Sequence, residues 1–110
     1  MNHFGHSLKT LRSEKKISQR KLAELVGINY TYISKIENGA QEPPSEDTII
    51  KIARVLGEDA DEMLIQANKI PSYFQKMITE NKEVSSFLRK AATLSPQQWD
   101  SIHRILDESL

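Results

Sequence analysis

Apolar positions along this chain recur at spacings of three and four, the mark of helices with one face turned inward. Leu8 and Leu11, with Arg12 beside them, predict a first helix over about residues 4–16. Ser18 is placed to cap a second, with Leu22, Ala23, Leu25 and Val26 inward and Gly27 at its end. Asn29 caps a third, which carries Tyr32, Ile33 and Ile36 on one face and stops at Asn38-Gly39. A loop containing Pro43-Pro44 follows. Ser45 then opens a fourth helix bearing Ile49, Ile52, Ala53, Val55 and Leu56, closed by Gly57. Asp59 with Glu62 reads as the capping box of a fifth, with Met63, Leu64 and Ala67 inward. No stretch alternates with strand period, so the expected fold class is all-α.

Pro71 punctuates the pattern. Beyond it the spacing predicts three more helices, at about 71–80 (Phe74, Met77, Ile78), 82–93 (Val84, Phe87, Leu88, Ala91) and 96–109 (Trp99, Ile102, Ile105, Leu106). Ser95-Pro96-Gln97-Gln98 combines an N-cap, a proline at the first helical position and a glutamine three after the cap. The expected organisation is a first domain over residues 1–69 and a helical extension over 70–110. That extension is near the size below which a domain rarely folds alone. It nevertheless holds eleven large apolar side chains: Ile70, Tyr73, Phe74, Met77, Ile78, Phe87, Leu88, Leu94, Trp99, Ile102 and Leu106. They must be covered by the first five helices or by a second chain. So many exceed what one small neighbouring surface covers, which favours dimerisation, with Phe74, Phe87, Trp99, Ile102 and Leu106 as contact candidates.

Charge adds an asymmetry that the formal net charge of zero conceals. Residues 1–40 carry an excess of four positive charges, residues 41–69 an excess of four negative ones, and the remainder balances. A polyanion would therefore meet the first forty residues. The absence of cysteine excludes a disulfide scaffold, a thiolate metal cluster and cysteine catalysis. No apolar run approaches the roughly 18 residues of a membrane span. The opening Met1-Asn2-His3-Phe4-Gly5-His6 lacks the basic-then-apolar order of a signal peptide, so a cytoplasmic protein with no membrane partner is expected.

The most specific spacing lies in residues 19–38. Two helices crossing at a wide angle through a short turn need a small residue in the first, a glycine at the turn and a branched apolar residue in the second. Ala23, Gly27 and Ile33 supply these. With Ile33 and Ile36 inward, Tyr30, Thr31, Ser34, Lys35 and Asn38 face outward, a polar set suited to base edges in a major groove. Gln19 opens the second helix, where a side chain and free backbone N–H groups can hold a phosphate.

The run Ser18-Gln19-Arg20-Lys21-Leu22-Ala23-Glu24-Leu25-Val26-Gly27-Ile28, then Tyr32-Ile33-Ser34-Lys35-Ile36-Glu37-Asn38-Gly39, then Pro44-Ser45 and the pattern Ile49, Ile52-Ala53, Leu56 resembles the helix-turn-helix domain of the Cro/CI, or Xre, family. The resemblance covers about residues 4–68. It implies a five-helix, lambda-repressor-like domain that binds double-stranded DNA, usually as a symmetric homodimer on a near-palindromic operator. By position, Gln19 meets the phosphate backbone, Tyr30, Thr31 and Lys35 stand where bases are read, and Asn29 and Asn38 stand at phosphate contacts. Ser18, Arg20 and Ser34 complete the candidate DNA-binding set. Arg12 and Glu37 match a partly buried ion pair that joins the first helix to the third. The loop after the third helix departs from the pattern: it is often basic in relatives, but here it reads Ala40-Gln41-Glu42-Pro43-Pro44, with Glu46 and Asp47 following. The resemblance also extends to phage and mobile-element regulators, some of which are switched by an antirepressor or a regulatory peptidase.

Plainer readings stand beside these. Taken singly, Lys35 and Arg20 are solvated helix side chains, and Tyr30 packs on a neighbour as readily as it touches DNA. His3 and His6 share a spacing of three but lack a third ligand, so no metal is expected. Asp59, Asp61 and Glu62 suit a helix start and lack the glycine and spacing of a calcium loop. No nucleophile–base pair, phosphate-cradling glycine loop or zinc signature is present, so neither catalysis nor a cofactor is expected. The leading expectation is a sequence-specific repressor. The alternatives are an antitoxin whose tail holds a toxin, and an interaction module that no longer binds DNA, a reading supported by the acidic middle segment.

Overall fold

Eight α-helices, and no strand, make up residues 4–109, the part of the chain that the computed structural model describes. They are α1 (Phe4–Glu14), α2 (Gln19–Val26), α3 (Tyr30–Glu37), α4 (Glu46–Leu56), α5 (Ala60–Gln66), α6 (Ser72–Glu80), α7 (Lys82–Ala91) and α8 (Pro96–Ser109). Two compact units divide the chain, one ending at Pro71 and the other starting at Ser72.

The helix boundaries follow from side chains that satisfy otherwise unpaired backbone groups. Ser18 Oγ accepts from the Lys21 N–H at 3.0 Å, and Asn29 Oδ1 from the Thr31 N–H at 2.7 Å. Ser45 Oγ accepts from the Thr48 N–H at 3.4 Å, and Asp59 Oδ1 from the N–H groups of Asp61 and Glu62 at 2.8 and 3.2 Å. Gly27 closes α2 in the left-handed conformation (φ 85°), which lets its N–H and that of Ile28 both reach the Ala23 carbonyl. At α8, Ser95 Oγ accepts from the Gln98 N–H while Gln98 Oε1 accepts from the Ser95 N–H, a reciprocal capping box.

The first unit owns the core. Phe4 and Leu8 of α1, Leu22, Ala23 and Val26 of α2, and Ile33 and Ile36 of α3 are buried together with Ile49, Ile52, Ala53 and Leu56 of α4 and Met63 and Leu64 of α5. Full burial of each large side chain contributes about 1.5–3 kcal/mol. Gly5 sets the approach of α1 to α3. A Cβ there would run into the Ile36 carbonyl oxygen and lie 3.1 Å from the Ile36 carbonyl carbon and 3.2 Å from Glu37 Cα. The backbone of α1 thus rests on the last turn of α3, a fit that only glycine permits.

Three details differ from the sequence reading. α1 ends at Glu14, two residues early, because Lys16 turns left-handed (φ 58°) and the Ile17 N–H bonds back to the Arg12 carbonyl at 3.0 Å. α7 likewise ends at Ala91, with Thr93 and Leu94 in a turn that bonds back to Lys90 and Ala91. Leu25 does not point inward. It is 50% exposed, because the buried stripe of α2 passes through Leu22, Ala23 and Val26 and position 25 falls beside it.

In the second unit Asn81 caps α7, accepting from the Glu83 N–H at 2.9 Å. None of the eleven large apolar residues from Ile70 onward is buried. Ile70, Tyr73, Met77, Phe87, Leu88 and Leu106 are exposed, while Phe74, Ile78, Leu94, Trp99 and Ile102 are half-buried.

Candidate nucleic-acid interface

α2 and α3 form a rigid corner. Leu22, Ile33 and Ile36 are fully buried beneath it, and the small Ala23 lets the two helices close. The opposite side of α3 is open, with Tyr30, Thr31, Lys35 and Asn38 exposed and Ser34 half-buried at its edge. Asn29 is exposed, and its side-chain oxygen is engaged in capping α3, as that of Ser18 is in capping α2. Asn38 terminates α3, its N–H directed to the carbonyls of Ile36 and Ser34.

An ion-pair network braces this corner from behind. Arg12 donates from Nε to Glu37 Oε2 at 2.8 Å and from Nη2 to Glu37 Oε1 at 2.9 Å, and its Nη1 reaches the Ile17 carbonyl at 2.9 Å. Gln19 Nε2 donates to the same Glu37 Oε1 at 2.9 Å. The Glu37 side chain is only 1% exposed and that of Arg12 12%. The hydrogen bonds to Glu37 hold the Arg12 proton more firmly than usual, against the opposing pull of burial. One carboxylate thereby joins α1, the start of α2 and the end of α3, with two short bonds to a planar guanidinium.

The family model for helix-turn-helix proteins matches residues 8–63, a span that runs from α1 into α5 and contains the corner and its brace. The chain belongs to the helix-turn-helix transcriptional regulators of the Xre, or Cro/CI, type. It is 29% identical to the HTH-type transcriptional repressor RghR of Bacillus subtilis, over 94% of this chain and 82% of that protein. It is 37% identical to the B. subtilis HTH-type transcriptional regulator RghRB, over 66% of this chain but only 52% of the relative. Among solved structures it resembles a chain of the SinR protein/SinI protein complex, with a TM-score of 0.55 and 27% identity over 97% of this chain and 99% of that one. It is a DNA-binding regulator of transcription.

Two features of this helix-turn-helix regulator escaped the sequence reading. The amide of Gln19, assigned to a phosphate, is tied by its Nε2 to Glu37, and it is half-buried. The guanidinium carbon of Arg20 lies over the Tyr30 ring, 4.3 Å from its centre, linking the first turn of α2 to the first residue of α3. Among the basic residues of the corner, Lys21 lies 3.9 Å from Glu24 with both side chains largely in water. That pair is worth little.

Of the dimerisation candidates, Phe87 and Trp99 meet edge to face, with ring centres 6.1 Å apart, and Trp99 stacks on His103. Phe74 lines a shallow apolar groove between α6 and α7 with Met77, Ile78, Val84 and Leu88. Ile102 borders a second hollow with Leu94, and Leu106 is exposed. His6 is exposed on α1, and His3 lies outside the described residues. Among the described residues no three His, Asp or Glu side chains converge as a metal site would require. No helix there is long and apolar enough to cross a membrane.

Proposed function

We propose that this regulator represses transcription by laying α3 in the major groove of a near-palindromic operator, two copies at a time. One observation carries the reading: α3 buries Ile33 and Ile36 completely while Tyr30, Thr31, Lys35 and Asn38 are exposed on its other side. Polar and cationic groups at that spacing can reach base edges in a groove wide enough for a helix. Tyr30, Thr31, Lys35 and Ser34 face the bases, while Gln19, Ser18, Asn29 and Asn38 lie along the phosphates. Residues 1–69 form the DNA-binding domain and 70–110 the extension. Repression as the direction of control is supported by the relative RghR, named a transcriptional repressor, which this chain matches over 82% of its length. Such a protein works beside the chromosome, in the cytoplasm, and needs no catalysis.

The second copy is seated by α6, α7 and α8, which bury no residue and leave Tyr73, Met77, Phe87, Leu88, Ile105 and Leu106 at least 40% exposed. Apolar surface of that extent marks an association site. Two bound corners then fall about 34 Å apart, one turn of duplex. The likeness to the SinR protein/SinI protein complex supports a second reading, in which these helices seat a different protein, of the antirepressor, toxin or peptidase kind.

The test is a gel shift of the full chain on duplexes selected from a randomised library, competed with unselected duplex at fixed salt. A selected site with two related half-sites and a preference of at least about a thousand-fold supports the proposal. Equal competition by any duplex refutes it. Sedimentation at micromolar concentration should give a dimer that Phe87→Glu dissociates. A monomeric wild type points to the second reading.

A further inference from the structure

Arg20 and Tyr30 stand ten positions apart in sequence, yet the guanidinium of one lies over the ring of the other, 4.3 Å from its centre. The contact bridges the first turn of α2 and the first residue of α3, the two helix starts that flank the outward face of the corner. Tyr30 is 39% exposed and Arg20 is also exposed. Among the described residues no carboxylate lies within ion-pair distance of Arg20, and none of its N–H groups donates to the chain. Arg12 differs: its side chain is only 12% exposed, and its Nε, Nη1 and Nη2 each donate, to Glu37 and the Ile17 carbonyl. Arg20 is thus a cation held in place by an aromatic face alone, with its donors unspent.

A guanidinium carries its five donors in its own plane, and a ring beneath it covers a face without consuming any of them. The ring removes rotamer freedom, which an arginine otherwise gives up when it binds. The forked edge that remains fits two acceptors side by side, the pattern that guanine O6 and N7 present in the major groove. From these observations we infer that Arg20 is a specificity-determining residue that takes one guanine in each half-site, and that Tyr30 is the positioning residue that holds it there. This inference rests on the DNA-binding reading and extends it. It moves base selection partly off α3, and it gives Tyr30 a task that its ring performs rather than its hydroxyl.

The experiment compares the full chain with Arg20→Ala, Arg20→Lys, Tyr30→Leu and Tyr30→Phe. Sites are selected from a randomised duplex library, then single-base variants of the preferred site are titrated at two salt concentrations. Arg20→Ala and Arg20→Lys should lose a preference of about ten- to one-hundred-fold for one guanine per half-site. Tyr30→Leu should lose preference at that same guanine, and Tyr30→Phe, which keeps the aromatic face, should retain it. Unchanged far-ultraviolet circular dichroism shows that each variant is folded. Three results overturn the inference: Arg20→Ala weakening all sequences equally with a shallower salt slope, which would make it a phosphate contact; Tyr30→Leu changing preference at a different base; or Tyr30→Phe losing as much as Tyr30→Leu. A wild type without any sequence preference overturns the DNA-binding reading itself.

Discussion

Replacing Glu37 with leucine should be among the most damaging single changes outside the apolar core. The side chain is 1% exposed and accepts three hydrogen bonds, two from Arg12 and one from Gln19. Leucine fills similar space but leaves Arg12 with the Ile17 carbonyl alone and the Gln19 amide without Glu37 as its acceptor. Breaking a buried ion pair on one side costs about 3–5 kcal/mol. Arg12 keeps 12% of its side-chain surface in water, which recovers part of its solvation, so the lower figure of about 3 kcal/mol applies. Arg12→Met should cost at least as much, because the group it strands is the more deeply buried of the two. The double variant Arg12→Met/Glu37→Leu removes both charges and should be less damaged than either single. Urea unfolding of the full chain, followed by far-ultraviolet circular dichroism, reads this out. With a slope of about 2 kcal/mol per molar, Glu37→Leu moves the midpoint down by about 1.5 M. Fluorescence is the wrong probe, since the sole tryptophan, Trp99, belongs to the second unit. Single variants within about 1 kcal/mol of wild type, or a double as costly as the two singles together, would show that this buried pair does not hold the corner together.

Gly5→Ala should lower stability by about 1–3 kcal/mol despite the better helix propensity of alanine, because its Cβ meets the Ile36 carbonyl; a raised thermal midpoint would count against the close approach. Lys16→Gly should raise stability by about 0.5–1 kcal/mol in the same urea assay by relieving a left-handed lysine, and a loss would show that the lysine stem packs usefully. The Arg12 proton is held above its ordinary guanidinium range, so the stabilisation from this shift is fully present below that range and lost only as pH rises through the folded value. Wild type and Arg12→Met should therefore show the same stability slope between about pH 7 and 10, where a free guanidinium stays charged; a wild-type slope that Arg12→Met abolishes would contradict this.

Helix starts were legible because caps are local chemistry. Ser18, Asn29, Ser45 and Asp59 each act on N–H groups two or three residues away, a distance that sequence alone determines. Helix ends were less so: α1 stops through a left-handed lysine, a conformation that no residue type announces. Leu25 was misread because four apolar residues within five positions cannot all share one helical stripe, and spacing alone did not say which one falls outside it. At the corner, helical spacing from Ile33 and Ile36 suffices to bring Thr31 and Lys35 to the surface. The stacking of Arg20 on Tyr30 and the bond from Gln19 to Glu37 depend on how α2 crosses α3, so neither has a signal in the linear pattern. The same holds for Gly5. A glycine near the start of a chain reads as a loosened helix end, and only the crossing of α1 over α3 turns it into a requirement.

Methylation interference on the selected duplex asks most directly whether α3 enters the major groove. Dimethyl sulfate marks guanine N7 in that groove and adenine N3 in the minor one. If α3 reads bases as argued, guanine N7 methylation should block binding in two clusters about 10 base pairs apart, while adenine N3 methylation between them is tolerated. Binding that ignores guanine N7 and fails only on minor-groove methylation would place a different part of this protein on the DNA.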